Sequence, residues 1–72
     1  MTEAQKRVYD YLVQYTTEHL YPPTLDEIAF DLNKGKSVVL GHLLALEAKG
    51  YIEREHASSR TIKLVGYKLV KE

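Results

Sequence analysis

The 72-residue chain has no cysteine, which excludes disulfides and thiolate metal ligands and leaves nothing pointing to an oxidising compartment. No apolar run is long enough to span a bilayer, and no secretory-leader pattern opens the chain. Only two prolines occur, side by side at Pro22 and Pro23, so helix-breaking chemistry is concentrated at one point. Net charge is also missing, with ten Lys and Arg against ten Asp and Glu. A chain of this length makes one domain, burying about 60% of its unfolded surface and holding a few kcal/mol of net stability. The expected location is the cytoplasm, with no membrane association.

Catalytic signatures are absent as well. The sequence has no phosphate-cradling glycine loop, no paired carboxylates suited to a cleft and no cysteine nucleophile. Ser58 and Ser59 approach His56 only within one short loop, and so small a domain has little room for a substrate pocket. His19, His42 and His56 lack metal-ligand spacing, so neither a metal nor a cofactor is expected. The reading is therefore a non-enzyme.

What is present is organised around Thr24 to Gly50. Thr24 with Glu27 forms a capping box, and Leu25, Ile28, Ala29 and Leu32 repeat at helical spacing over about two turns. Asn33-Lys34-Gly35 breaks that pattern with two residues that accept positive φ. A second helix starts at Lys36 or Ser37, carries Val39, Leu43 and Leu46 inward, and stops at Gly50 in the position of a C′ glycine. A short helix, a glycine turn and a longer helix make a helix-turn-helix.

The flanks fit around that motif. Thr2 and Gln5 form another capping box, opening a helix of about 16 residues with Ala4, Val8, Tyr11, Leu12 and Tyr15 facing inward. Tyr9, Tyr11 and Tyr15 wrap the edge of its core, and Thr16-Thr17 weakens its end. Tyr21-Pro22-Pro23 is extended, with the capacity to form a minor strand. After Gly50 the period changes to two. Residues 51–55 and 61–65 read as paired strands, with Ile52, Ile62 and Leu64 inward and residues 56–60 as the loop of a wing. The expected architecture is α+β, a winged helix-turn-helix of three helices and a β-hairpin over residues 1–65. Residues 66–72 form a strand or tail, a choice that Tyr67, Leu69 and Val70 leave open.

Charge is segregated although it sums to zero. Residues 1–32 set Lys6 and Arg7 against six carboxylates, a net −4, whereas residues 33–63 carry six Lys and Arg against Glu47, Glu53 and Glu55, a net +3. The positive part coincides with the second helix of the motif and the wing, where DNA would be met. Lys34 and Lys36 are expected at phosphates, Ser37 at a base edge, Val38 against a methyl group, and Gly41 close to the groove. Ser58, Ser59 and Arg60 are the wing contacts. About four phosphates per copy is too few for tight binding at physiological salt, so a homodimer on paired half-sites or a larger assembly is expected.

The chain resembles the N-terminal DNA-binding domain of the bacterial LexA repressors. The resemblance is carried by Thr2, Gln5, Val8 and Asp10, then Tyr-Pro-Pro-Thr at 21–24, Glu27-Ile28-Ala29 and Leu32. It continues in His42-Leu43, Ala45-Leu46, Lys49-Gly50, Ile52-Glu53, and the wing residues Ala57, Ser59, Arg60, Ile62 and Leu64. One deletion falls in the turn, and the spacing from Leu32 to Gly50 also fits the broader MarR-like winged-helix pattern. The resemblance implies that the second helix of the motif enters the major groove, with Ser59 and Arg60 at phosphate- and minor-groove-facing positions. Ser37 stands where the family has a base-reading asparagine, and Val38 where it has an alanine touching a thymine methyl. Leu40 and Gly41 replace two glutamates that help set operator choice, so a different operator is implied. LexA repressors continue into a self-cleaving domain with a serine–lysine dyad that also supplies a dimer contact. With its end at Glu72, this chain is expected to lack both.

Val38, Leu40, Gly41 and Leu44 lie largely off the inward stripe. Either the buried face is wider than that stripe, or the residues form an exposed patch. The second case supports an alternative function: a protein-binding winged helix that engages another regulator or a replication protein through Val38, Leu40 and Leu44.

Overall fold

The computed structural model describes residues 1–54 and 62–66. Three helices, α1 (Glu3–His19), α2 (Leu25–Leu32) and α3 (Lys36–Ala48), precede two strands, β1 (Ile52–Arg54) and β2 (Ile62–Leu64). The strands pair antiparallel, with Ile52 opposite Leu64, Glu53 opposite Lys63 and Arg54 opposite Ile62. This is the expected α+β winged helix. The wing residues Ser58, Ser59 and Arg60 lie outside the described residues, as do Tyr67, Leu69 and Val70.

Both expected capping boxes form. Thr2 Oγ1 accepts from the Gln5 N–H at 3.2 Å while Gln5 Oε1 accepts from the Thr2 N–H at 3.2 Å. At α2 the corresponding Thr24 and Glu27 distances are 3.1 and 2.8 Å. Each box satisfies amide donors that a helix start leaves without intrahelical partners. Two helices end in Schellman arrangements. Asn33 (φ 54°) closes α2 with N–H bonds from Asn33 to the Phe30 carbonyl and from Lys34 to that of Ala29. Gly50 (φ 83°) closes α3 with bonds from Gly50 to Glu47 and from Tyr51 to Leu46, each 3.0 Å.

One part of the turn differs from expectation. Gly35 has φ −67° and ψ 148°, so it is extended backbone that caps α3 and has no need of glycine's freedom. The left-handed residue is Asn33 alone, whose short polar side chain tolerates that region.

The core is a single cluster of Val8, Leu12, Ile28, Ala29, Val39, Leu43, Leu46, Ile52, Ile62 and Leu64. Every helix and both strands contribute to it. Of the expected inward face of α1, Val8 and Leu12 are buried, whereas Ala4, Tyr11 and Tyr15 are half-buried. Thr16 is buried instead, one turn beyond Leu12 on the same face. The helix passes through Thr16-Thr17 and continues to His19, with Thr17 Oγ1 donating to the Val13 carbonyl at 2.7 Å. Tyr21-Pro22-Pro23 forms no strand, and the described sheet has two. Pro23 is fully buried and anchors the chain between α1 and α2 by packing.

Candidate nucleic-acid interface

The outer surface of α3 follows from where its inner surface lies. Val39, Leu43 and Leu46 are buried at i, i+4 and i+7. On the opposite side, the same spacing places Ser37, Gly41, Leu44 and Ala48 in one stripe, and all four are exposed. Val38 flanks that stripe. Val38 is 50% exposed and Leu44 49%, while Leu40 is half-buried. A wider buried face is thereby overturned for Val38 and Leu44, because the core meets the other side of this 13-residue helix and both side chains are exposed among the described residues.

At the start of α3, Gly35 supplies no side-chain cap, so the first-turn amides face outward without one. Such a terminus, with its positive dipole end, is suited to a phosphate. Lys36 is exposed there and forms an ion pair of 2.5 Å with Asp26 at the start of α2. Both side chains are about two-thirds exposed, so the pair adds little to stability. Lys34 is half-buried and lines a shallow cleft of about 220 Å³ with Glu3, Ala4 and Arg7, on the α1 side of the turn.

The other described cations have separate surroundings. Lys49 Nζ donates to Gln5 Oε1 at 2.8 Å and ties the end of α3 to the start of α1. Lys63 is exposed on β2 opposite Glu53. Among the described residues Arg54 Nε is buried without a hydrogen-bond partner. Of the residues expected to contact DNA, the structure brings Lys36, Ser37, Val38 and Gly41 onto the open side and start of α3, and sets Lys34 aside from them. Leu44 and Ala48 complete the stripe. Ala48 was not among the expected contacts, although its spacing from Ser37 and Gly41 was readable.

The seam between α1 and α2 has the opposite chemistry. Tyr15 Oη donates to Glu27 Oε2 at 2.8 Å, and Tyr11 Oη donates to an Asp31 carboxylate oxygen. Burial pushes the Tyr11 phenol above the ordinary tyrosine range, and the bond to Asp31 acts in the same direction. Tyr15 stacks on His19 at 4.0 Å, and Tyr9 meets Tyr51 edge-on at 5.7 Å. These tyrosines serve the scaffold. No group of three or more metal-ligating side chains occurs among the described residues, and no helix there is long and apolar enough to cross a membrane.

The family model for the LexA DNA binding domain matches residues 1–61. A LexA repressor of Geobacter metallireducens is 46% identical over 68 residues, covering 93% of this chain and 34% of the relative. LexA repressor 1 of Geobacter sulfurreducens is 49% identical over 63 residues, or 86% of this chain and 31% of the relative. The LexA repressor of Herpetosiphon aurantiacus is 39% identical over 66 residues, or 90% and 31%. The chain thus spans about a third of the length of the curated relatives it matches.

Proposed function

This chain belongs to the LexA DNA-binding domain family, and from that premise we propose that it binds double-stranded DNA sequence-specifically in the cytoplasm and represses transcription. The observation that carries the reading is the open side of α3. It starts at an amide terminus without a side-chain cap, holds Lys36 beside that terminus, and presents Ser37, Val38 and Gly41 to an approaching groove. In this proposal α3 occupies the major groove, Lys36 and the first-turn amides hold phosphates, and Lys34 contributes from the adjoining turn. Ser58, Ser59 and Arg60 of the wing contact the backbone or minor groove. Residues 1–65 are the binding unit, and 66–72 a strand or tail.

The segregated charge supports this placement, because the net +3 falls on residues 33–63. It also argues for two copies. About four neutralised phosphates give a log–log salt slope near −4, weak for one protomer at physiological salt, so a homodimer on paired half-sites is the bound form proposed. Fluorescence anisotropy on random-sequence duplex DNA at low and then moderate salt tests the reading. The expected slope is roughly −3 to −5, falling by about two in the double variant Lys36→Ala with Arg60→Ala. An unchanged slope in that variant overturns the phosphate assignments, and no binding at low salt overturns the function.

A second reading rests on the exposure of Val38 and Leu44, which would also suit a protein partner engaged through Val38, Leu40 and Leu44. Leu40→Glu separates the two, since it impairs partner binding far more than DNA retention.

A further inference from the structure

The exposed stripe of α3 is unusual in what it can say to a base pair. Ser37, Gly41, Leu44 and Ala48 include one hydrogen-bonding side chain, and the flanking Val38 adds none. The charged side chains of α3 are Lys36, at its first residue, and Glu47, which lies half-buried toward the core side. Base pairs present two kinds of feature in the major groove, hydrogen-bonding groups and the C5 methyl of thymine. Apart from Ser37, this surface matches the second.

Resting on the DNA-binding reading above, we propose that α3 selects its sites chiefly by the C5 methyl groups of pyrimidines, with Ser37 as the one hydrogen-bonding side chain of its exposed stripe. Val38 and Leu44 supply the apolar contacts, each about half exposed. Gly41 lies between them, and a Cβ built there meets nothing within 4 Å, so on this side the helix backbone itself is the surface. A glycine between two aliphatic side chains lets the helix approach the groove floor more closely than any larger residue would. The relief also suits a groove better than it suits a protein partner. Binding hot spots on proteins rely on large anchors such as Trp, Tyr and Arg, and this stripe has none. Exposed Lys36 at the start of α3 adds a charge suited to phosphate.

The consequence is a protein that reads a methyl group more than a base identity. A site enriched from a random duplex library by the intact chain should be rich in thymine. Replacing its thymines one at a time with deoxyuracil, which removes only the methyl, should weaken binding about fourfold at each contacted position. At the same positions, 5-methylcytosine should bind about fourfold more tightly than cytosine, because the aliphatic contact is restored without the thymine hydrogen-bonding pattern. Val38→Ser or Leu44→Ser, which replace the aliphatic contact by a hydroxyl, should each abolish this methyl dependence at one position while leaving the salt slope intact. Both side chains are half exposed, so the variants fold, and circular dichroism checks that they do. Uracil-containing sites bound as tightly as thymine sites, with sequence selectivity retained, overturn the inference and leave the DNA-binding reading standing. Failure to retain any duplex at low salt overturns both.

Discussion

Between α1 and α2, polar side chains close on one another; on the outer side of α3 they are nearly absent. The seam joins Tyr15 to Glu27 and Tyr11 to Asp31, and Glu27 also caps α2 through Thr24. One carboxylate therefore satisfies a helix start and a neighbouring helix together. α3 has no side-chain cap, exposes aliphatic groups, and meets the core through Val39, Leu43 and Leu46 on its inner face. The first region is chemically complete within the protein, and the second acquires partners only by binding. In a domain this small, interactions that secure the fold and interactions left for a ligand have to be divided between elements, and here the division follows the charge segregation.

The sharpest test of that division uses two adjacent residues of α3. Leu43 is buried and Leu44 is half exposed on the opposite face. Leu43→Ala should cost about 2–5 kcal/mol, enough to unfold much of a domain with only a few kcal/mol of stability. Leu44→Ala should change stability by no more than about 0.5 kcal/mol. Comparable losses in urea denaturation would show that the outer face of α3 is part of the scaffold after all. Next in size is Glu27→Ala, which removes a capping interaction and leaves the Tyr15 hydroxyl without its acceptor. A loss of about 1–3 kcal/mol is expected, with DNA affinity per folded molecule unchanged. Glu27→Gln keeps the capping geometry and should lose less. A thermal melt unaffected by Glu27→Ala would break the claim that the seam secures the fold.

The parts of this arrangement readable in the sequence are those governed by local chemistry. Capping boxes depend on residues three apart, and Gly50 and the Val39–Leu43–Leu46 stripe depend on the period of one helix. All of these are found in the structure. The choice of Asn33 over Gly35 for the left-handed position was not readable, since both tolerate it and only the path into α3 decides. Thr16 is buried although polar, because its position one turn from Leu12 outweighs its type. The seam pairs lie 12 and 20 residues apart, and no periodic pattern announces contacts at such separations. Val38 and Leu44 show the converse problem. Hydrophobicity left burial and an exposed patch equally open, and the geometry of α3 decides by assigning the core to its other side. The expected wing contacts Ser58, Ser59 and Arg60 lie outside the described residues.

The smallest predicted effect falls on an ion pair that joins α2 to the start of α3. Asp26 belongs to the first turn of α2, where a carboxylate suits the helix dipole, yet its partner Lys36 opens α3. With both side chains largely exposed, Asp26→Asn should lower stability by less than about 1 kcal/mol. Its effect on binding should have the opposite sign. Lys36 loses a competitor for phosphate, and a negative charge leaves the edge of the interface. At about 1 kcal/mol for a unit charge a few ångströms away in water, affinity for duplex DNA should rise about fivefold at low salt. The gain should shrink as salt rises and screens the same interaction. Anisotropy titrations at two salt concentrations, alongside a thermal melt, read both quantities. A variant that loses stability and gains no affinity would assign Asp26 and Lys36 together to the scaffold, and the line between the two regions would move to Ser37.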